Sequence, residues 1–301
     1  MLAALPGSAI GIRPKLVHTR PPAVCGGRRW CSRPFGLRSL PHLLELPAMH
    51  PTAPAPVLLV TGASRGIGAA VAVLAAQRGW DVAVNCMRDV EAAGRVAEAV
   101  RAAGRRAITV AADVADEAAV EAMFARVDAE LGPLAGLVNN AGIVAMQARL
   151  DEMTAARWQR LFAVNVLGTL ACARAAVRRM STRHGGAGGA IVNLSSVAAT
   201  LGSPAMYVDY AASKGAVDSF TVGLARELAT EGVRVNAVRP GIIDTEIHAD
   251  SGDAQRAHQS AALIPMRRPG TAEEVAEAIV WLLSPAASYT TGAILDVSGG
   301  R

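Results

Sequence analysis

Lysine is almost missing from this chain: among its 30 lysine and arginine residues, only Lys15 and Lys214 are lysines. Cysteine is scarce too, and Cys25, Cys31, Cys86 and Cys172 show no metal-ligand spacing with the six histidines, so no metal site is expected. Four cysteines in 301 residues exclude a disulfide scaffold and argue for reduced thiols in a cytoplasm. Aromatic residues make up 4% of the chain and are scattered, which excludes a stacking platform for single-stranded nucleic acid.

The formal charge of +5 would suit a polyanionic partner only if it were clustered on a folded surface. It lies in the first fifty residues, where Arg13, Lys15, Arg20, Arg28, Arg29, Arg33 and Arg38 face Glu45 alone; the remainder holds 23 basic and 24 acidic residues, a net of −1. No nucleic-acid partner is therefore expected. The tail is rich in Arg, Pro and Gly, lacks periodicity and runs into Pro51-Thr52-Ala53-Pro54-Ala55-Pro56. Residues 1–55 read as a disordered or mis-assigned extension, with Met49 as an alternative start; an organelle transit peptide is the second reading of an arginine-rich, acid-poor segment. That tail holds no apolar stretch long enough for a transmembrane helix and no signal-peptide core, so neither a membrane partner nor export is expected.

From residue 56 onward short β-rich apolar runs alternate with alanine-rich helical patterns, the signature of a parallel sheet covered on both faces. Seven strands are predicted at 57–61, 81–85, 107–111, 134–138, 190–194, 233–238 and 293–297. Helices are predicted at about 66–78, 89–103, 116–131, 153–181, 208–231 and 271–283, with Gly79, Gly104, Gly132 and Gly232 placed as C-caps. The fold class is α/β: one Rossmann-type doubly wound domain over 56–301, in which Gly185-Gly186-Ala187-Gly188-Gly189 forms a surface loop.

Two local patterns carry chemistry. Thr61-Gly62-Ala63-Ser64-Arg65-Gly66-Ile67-Gly68 is a glycine-rich turn between a strand and a helix, where backbone N–H groups and the helix dipole suit a pyrophosphate. Tyr210 and Lys214 stand four apart, so they share a helix face, and a compact ammonium there can lower a phenol's pKa. The chain uses arginine nearly everywhere else, so this lysine reads as chemically required.

The glycine turn, Asn139-Asn140-Ala141-Gly142, Ser195-Ser196, Tyr210-Ala-Ala-Ser-Lys214 and Pro240-Gly241, in that order, resemble the classical short-chain dehydrogenase/reductase family across 56–301. The resemblance implies a catalytic tetrad of Asn165, Ser196, Tyr210 and Lys214. Ser196 would hold the substrate oxygen and Tyr210 would exchange its proton. Lys214 would lower the phenol and contact the nicotinamide ribose, and Asn165 would hold a water linking that lysine to solvent. Cofactor contacts are implied at Gly62, Ser64, Arg65, Gly66, Ile67 and Gly68, at Asp113 and Val114, at Asn140, Ala141 and Gly142, at Tyr210 and Lys214, and at Pro240, Gly241, Ile243 and Thr245, with Thr291-Gly292 approaching the last strand. Ser195 and Tyr207 are competitors for two roles. Ser196 is preferred by side-chain direction, and Tyr210 because it alone has the lysine. The 14-residue separation of Ser196 and Tyr210 is one longer than the commonest family pattern.

The second strand ends in Val84-Asn85-Cys86-Met87-Arg88 with no carboxylate for ribose hydroxyls. Arg65 and Arg88, with Asn85 beside them, favour the 2′-phosphate of NADP(H), while Asp89 leaves NAD(H) possible. Residues 242–266, with His248, His258 and Leu263-Ile264-Pro265, are expected to form a substrate lid. The expected function is hydride transfer between NADP(H) and a carbonyl or secondary alcohol; a cofactor-binding sensor or scaffold without turnover is the alternative, and an isomerase, dehydratase or epimerase uses the same proton chemistry. The resemblance further implies a homotetramer, or a homodimer, paired through the helices at 153–181 and 208–231.

Overall fold

Every residue of β1 (Val57–Val60) and β2 (Asp81–Cys86) is buried, as strands covered on both faces require. β3 (Ala107–Ala111), β4 (Leu134–Asn139), β5 (Gly189–Leu194), β6 (Val233–Pro240) and β7 (Ile294–Val297) complete a fully parallel sheet in the order β3-β2-β1-β4-β5-β6-β7. The computed structural model describes residues 54–246 and 256–301. Expectations for the N-terminal extension up to residue 53, and for His248, lie outside the described residues; Thr52–Arg301 is one compact unit.

Side chains alternate across the sheet with period two and so build two cores. Leu58 and Val60 of β1 face α1 (Gly66–Gln77), α2 (Val90–Ala102) and the last helix, Ala272–Leu283. Val57 and Leu59 face α3 (Glu117–Glu130), α4 (Ala155–Met180) and α5 (Val208–Glu227), where Phe124 and Met180 are fully buried. Residues Ala272–Leu283 form α6. By length and composition α4 could cross a membrane, but half of that stretch is buried within the fold. The strand order reverses between β1 and β4, and the crevice outside the strands' carboxyl ends at that point is where such sheets bind ligands.

Two local features depart from expectation, while the 185–189 loop lies at the surface as expected. The predicted helix 153–181 is interrupted by a π-helical segment at Ala163–Gly168, a distortion that recurs at functional sites. α5 ends at Glu227, so Gly232, with φ +74°, is a turn residue four positions beyond the cap; Gly79, Gly104 and Gly132 do follow their helices with positive φ. The glycine loop at 185–189 is packed rather than free. A Cβ at Gly188 would lie 2.6 Å from the Gly232 carbonyl, and one at Gly186 2.4 Å from that of Arg179.

Candidate active site

The glycine turn is held by side chains from three strands. Thr61 Oγ1 accepts the N–H groups of Asn140 and Ala141 at 3.0 Å each, and Asn140 Nδ2 donates to the carbonyls of Thr61 and Gly62 at 2.8 Å each. Asn85 Oδ1 accepts Gly62 N–H at 3.1 Å while Nδ2 reaches the carbonyls of Val110 and Ala112 at 3.1 Å each. Asn85 is therefore turned into the protein and acts on the loop from beneath, not as the outward ribose contact its position suggested.

α2, α3, α4 and α6 are capped by Asp89, Asp116, Thr154 and Thr271, but no side chain caps α1 and its first turn has no acidic residue. Its leading N–H groups are thus left for an anion from outside, and a dinucleotide pyrophosphate fits them. The glycines have separate jobs. A Cβ at Gly68 would come within 2.5 Å of Asn140 Nδ2 and 2.6 Å of the Gly62 carbonyl, whereas one at Gly66, at φ +55°, would meet nothing nearer than Thr245 at 3.5 Å and Glu246 Oε2 at 3.8 Å. Gly68→Ala is expected to cost roughly 1–3 kcal/mol by overpacking and to weaken cofactor binding at least about tenfold. Gly94→Ala in α2, where a Cβ meets nothing within 4 Å, should leave both unchanged or raise stability by about 0.5–1 kcal/mol. Thermal melts and cofactor titration of the pair check this.

At the end of β5 the adjacent serines diverge. Ser195, 3% exposed, donates from Oγ to the Lys214 carbonyl at 3.2 Å, so its hydroxyl ties strand to helix. Ser196 Oγ accepts Ala198 N–H at 3.1 Å and faces the same cavity as the Tyr210 side chain. Burial pushes the half-buried Tyr210 phenol up to about 12, the Ser196 hydroxyl opposing. The phenol's position is set chiefly by burial, with Lys214 Nζ 5.6 Å from the ring centroid and making a 2.6 Å hydrogen bond to the Leu194 carbonyl. Burial in turn brings Lys214 down to about 8, opposed by Asp218 one turn along α5. At neutral pH the pair is accordingly a loaded phenol beside an ammonium.

Asn165 sits in the π-helical segment and is 1% exposed. Its Oδ1 accepts Ile143 N–H at 2.8 Å, and Nδ2 donates to the Ile143 carbonyl at 3.0 Å and Ser213 Oγ at 3.1 Å. Ser213 Oγ donates to the Tyr210 carbonyl at 2.7 Å. The Asn165 amide clamps the segment after β4 to the turn carrying Tyr210. A Cβ at Gly142 would sit 3.5 Å from both Asn165 Oδ1 and Lys214 Nζ, which places these groups around one point.

At the far end of the crevice, Asp113 accepts Ala115 N–H at 3.0 Å and pairs with Arg160 Nη1 at 2.9 Å. Although burial pulls the Asp113 carboxyl upward, these bonds and the charges of Arg160 and Arg88 together hold it below its usual range. Val114 is buried where Gly168 of α4 approaches it; a Cβ there would meet Val114 Cγ2 at 2.7 Å. Arg160 escaped sequence reasoning because it is one arginine among many on an amphipathic helix. Ser64 and Arg65 line the outer side of the glycine turn, together with Thr245.

A cavity of about 600 Å³ opens beside Ser196, Tyr210 and Lys214, walled by Val144, Leu201, Pro204, Met206 and Leu263, and Ile67, Asn140, Gly142, Pro240, Gly241, Ile243 and Thr245 also face it. Tyr207, 5% exposed, lines the same wall. The residue inserted between Ser196 and Tyr210 is absorbed in a turn where Ser203 and Ala205 both take positive φ, +46° and +56°. His258 of the expected lid pairs with Asp244 at 3.3 Å, outside the cavity wall. Thr291 accepts Val235 N–H at the opposite edge of the sheet, away from the site. Among the described residues no three of His, Cys, Asp and Glu converge to hold a metal ion.

The sequence model of the family described as enoyl-(acyl carrier protein) reductase matches residues 62–301. An uncharacterized oxidoreductase of Escherichia coli, YgfF, is 53% identical over 245 residues, covering 81% of this chain and 99% of that protein. A cis-4-hydroxycyclohexanecarboxylate dehydrogenase of Sinomonas cyclohexanicum is 44% identical over 244 residues, covering 81% and 95%. Among solved structures, a short-chain dehydrogenase from Burkholderia cenocepacia in complex with NADP superposes with a TM-score of 0.76 at 36% identity, covering 82% of this chain and 98% of that one.

Proposed function

The chain belongs to the classical short-chain dehydrogenase/reductase family and is an oxidoreductase acting on alcohol or carbonyl groups, and from that premise we propose an NADP(H)-dependent reaction in which Tyr210 is the acid and base. The observation that carries this reading is Ser196 and Tyr210 meeting at the wall of an apolar cavity, with Lys214 one turn on. A bound nicotinamide supplies the hydride on reduction and accepts it on oxidation.

The protein's own groups do the rest. A carbonyl oxygen that gains negative charge is held by the Ser196 hydroxyl and takes the Tyr210 proton. Lys214, one turn on along α5, is the nearby positive charge that favours the phenolate once the proton has left. Asn165 and Ser213 keep the Tyr210 turn against the segment after β4 that carries Gly142. The uncapped N-terminus of α1 and the residues Gly62 to Gly68 would hold the pyrophosphate, Asp113 and Val114 the adenine, and Asn140 to Gly142 and Pro240 to Thr245 the nicotinamide side.

Two features support NADP(H) over NAD(H). Asn85 offers no outward carboxylate at the end of β2, and Arg88 and Arg160 both act on Asp113 near that edge, where a doubly charged 2′-phosphate gains most. The cavity wall suits a ketone or secondary alcohol with an apolar body. The same reading includes assembly through α4, where Trp158, Phe162 and Leu167 are exposed, into a homotetramer or homodimer. It also includes a cytoplasmic setting, in keeping with the free, buried Cys86 and Cys172, and an N-terminal extension before residue 56 that plays no part in catalysis.

The test is titration with NADPH and NADH, then oxidation of NADPH by a ketone panel containing cyclohexanone and 4-oxocyclohexanecarboxylate. NADPH should bind at least about tenfold tighter, a difference of about 1.4 kcal/mol, and Arg88→Ala should erase most of that margin. Preference for NADH would overturn the cofactor assignment. Binding without turnover would favour the sensor reading.

A further inference from the structure

Asp209 precedes Tyr210 in the chain. An acid in a helix's first turn is ordinarily explained by the dipole and left in solvent, yet the Asp209 side chain is 2% exposed and its partner Arg157 14%. The pair is bidentate: Arg157 Nε donates to Asp209 Oδ2 at 2.7 Å and Nη2 to Oδ1 at 3.1 Å. A third donor, Arg157 Nη1, reaches the Met146 carbonyl at 2.5 Å. Asp209 Oδ1 also accepts Tyr210 N–H at 2.9 Å, and Ala148 N–H donates to the Met206 carbonyl at 3.2 Å. One guanidinium therefore joins α4, the first turn of α5 and the cavity-lining segment after β4.

That joint replaces something α5 lacks. Tyr207 stands at the N-cap with φ −147° and ψ 47° and makes no side-chain cap hydrogen bond, and the residues just before it include Ser203 and Ala205 in left-handed conformation. The turn bearing Tyr210 begins after a strained segment without the usual fastening. A buried ion pair is weak ground for a stability role, because well-packed apolar residues commonly replace one without loss. A planar fork is, however, a device for fixing orientation. We propose that Arg157 and Asp209 are positioning residues that set where the Tyr210 hydroxyl stands relative to Ser196. This rests on the reading of Tyr210 as proton donor.

The test uses the full chain, NADPH and the best-turned-over ketone of the panel, in a cycle with Tyr210→Phe. The apolar double variant Arg157→Met/Asp209→Leu should bind NADPH as the parent does and melt within a few degrees of it. Its kcat should fall about 10–100-fold, the scale of an ångström-sized misplacement. Arg157→Lys, which keeps the charge and loses the fork, should fall about tenfold and serves if the double variant does not fold. Neither change should lower activity further in a Tyr210→Phe background, because both act through the missing hydroxyl. A double variant or Arg157→Lys with parental kcat, alongside an inactive Tyr210→Phe, overturns the positioning role alone. An active Tyr210→Phe, or a parent that binds NADPH and reduces no ketone, overturns the proton-donor reading and this one with it.

Discussion

Tyr210→Phe is expected to lose about 10²–10⁴-fold or more in kcat, the range general acid catalysis supplies, while Kd for NADPH stays within about twofold. The two side chains have nearly the same volume, so the cavity wall beside Tyr207 and Met206 is preserved and only the hydroxyl disappears. That hydroxyl is the one the structure sets next to Ser196, since Tyr207 has no lysine one turn on. Ser196→Ala should be milder, about 10²–10³-fold, because it removes a donor to the developing charge and leaves the proton source in place. Single-turnover rates with saturating NADPH separate the chemical step from binding. Turnover of Tyr210→Phe at the parental rate would sink the assignment.

Lys214→Met is expected to destroy activity and to make the protein more stable. Burial brings the ammonium of Lys214 from 10.5 to about 8 in the folded chain, so between those values the unfolded state binds more protons and stability rises with pH. At pH 7 the folded state carries the charge at a cost of up to about 3 kcal/mol, partly offset in the net by the bond to the Leu194 carbonyl. Removing both should leave a gain of about 1–2 kcal/mol and raise Tm by about 2–8 °C at this chain length. Catalysis moves the other way: activity of the parent should fall as pH rises through about 8 and Lys214 loses its proton. A variant that melts lower, or a parent equally active at pH 9.5, would show the charge to be neither costly nor needed.

The sheet was legible because buried parallel strands are continuous apolar runs and the glycines between elements mark turns; all seven strands stand within two residues of their predicted bounds. Tyr210 and Lys214 were legible for a chemical reason, since a lysine kept in an arginine-rich chain has few explanations. Direction was the hardest thing to read. Ser195 and Ser196 are neighbours on an extended backbone, and their identity alone does not tell that Ser195 turns to the helix carbonyl. Asn85 has a side chain equally able to face a ribose or three backbone groups, and the fold chose the latter. Pairings across distance were invisible as well: Arg157 and Asp209 are 52 positions apart, and each arginine of so many looks alike before its partner is known. The π-helical segment at Asn165 has no sequence signature, because it arises from where that amide is pulled by Ile143 and Ser213.

The scarcity of lysine has a practical side. Between residues 54 and 301 the chain presents one primary amine, that of Lys214, 4% exposed and on the wall of the catalytic cavity. Acylating or aldehyde reagents that modify amines elsewhere on most proteins meet only guanidinium groups across the rest of this domain. Any lysine adduct from this region therefore reports on a single atom, and its rate of formation measures how often the cavity opens wide enough to admit the reagent.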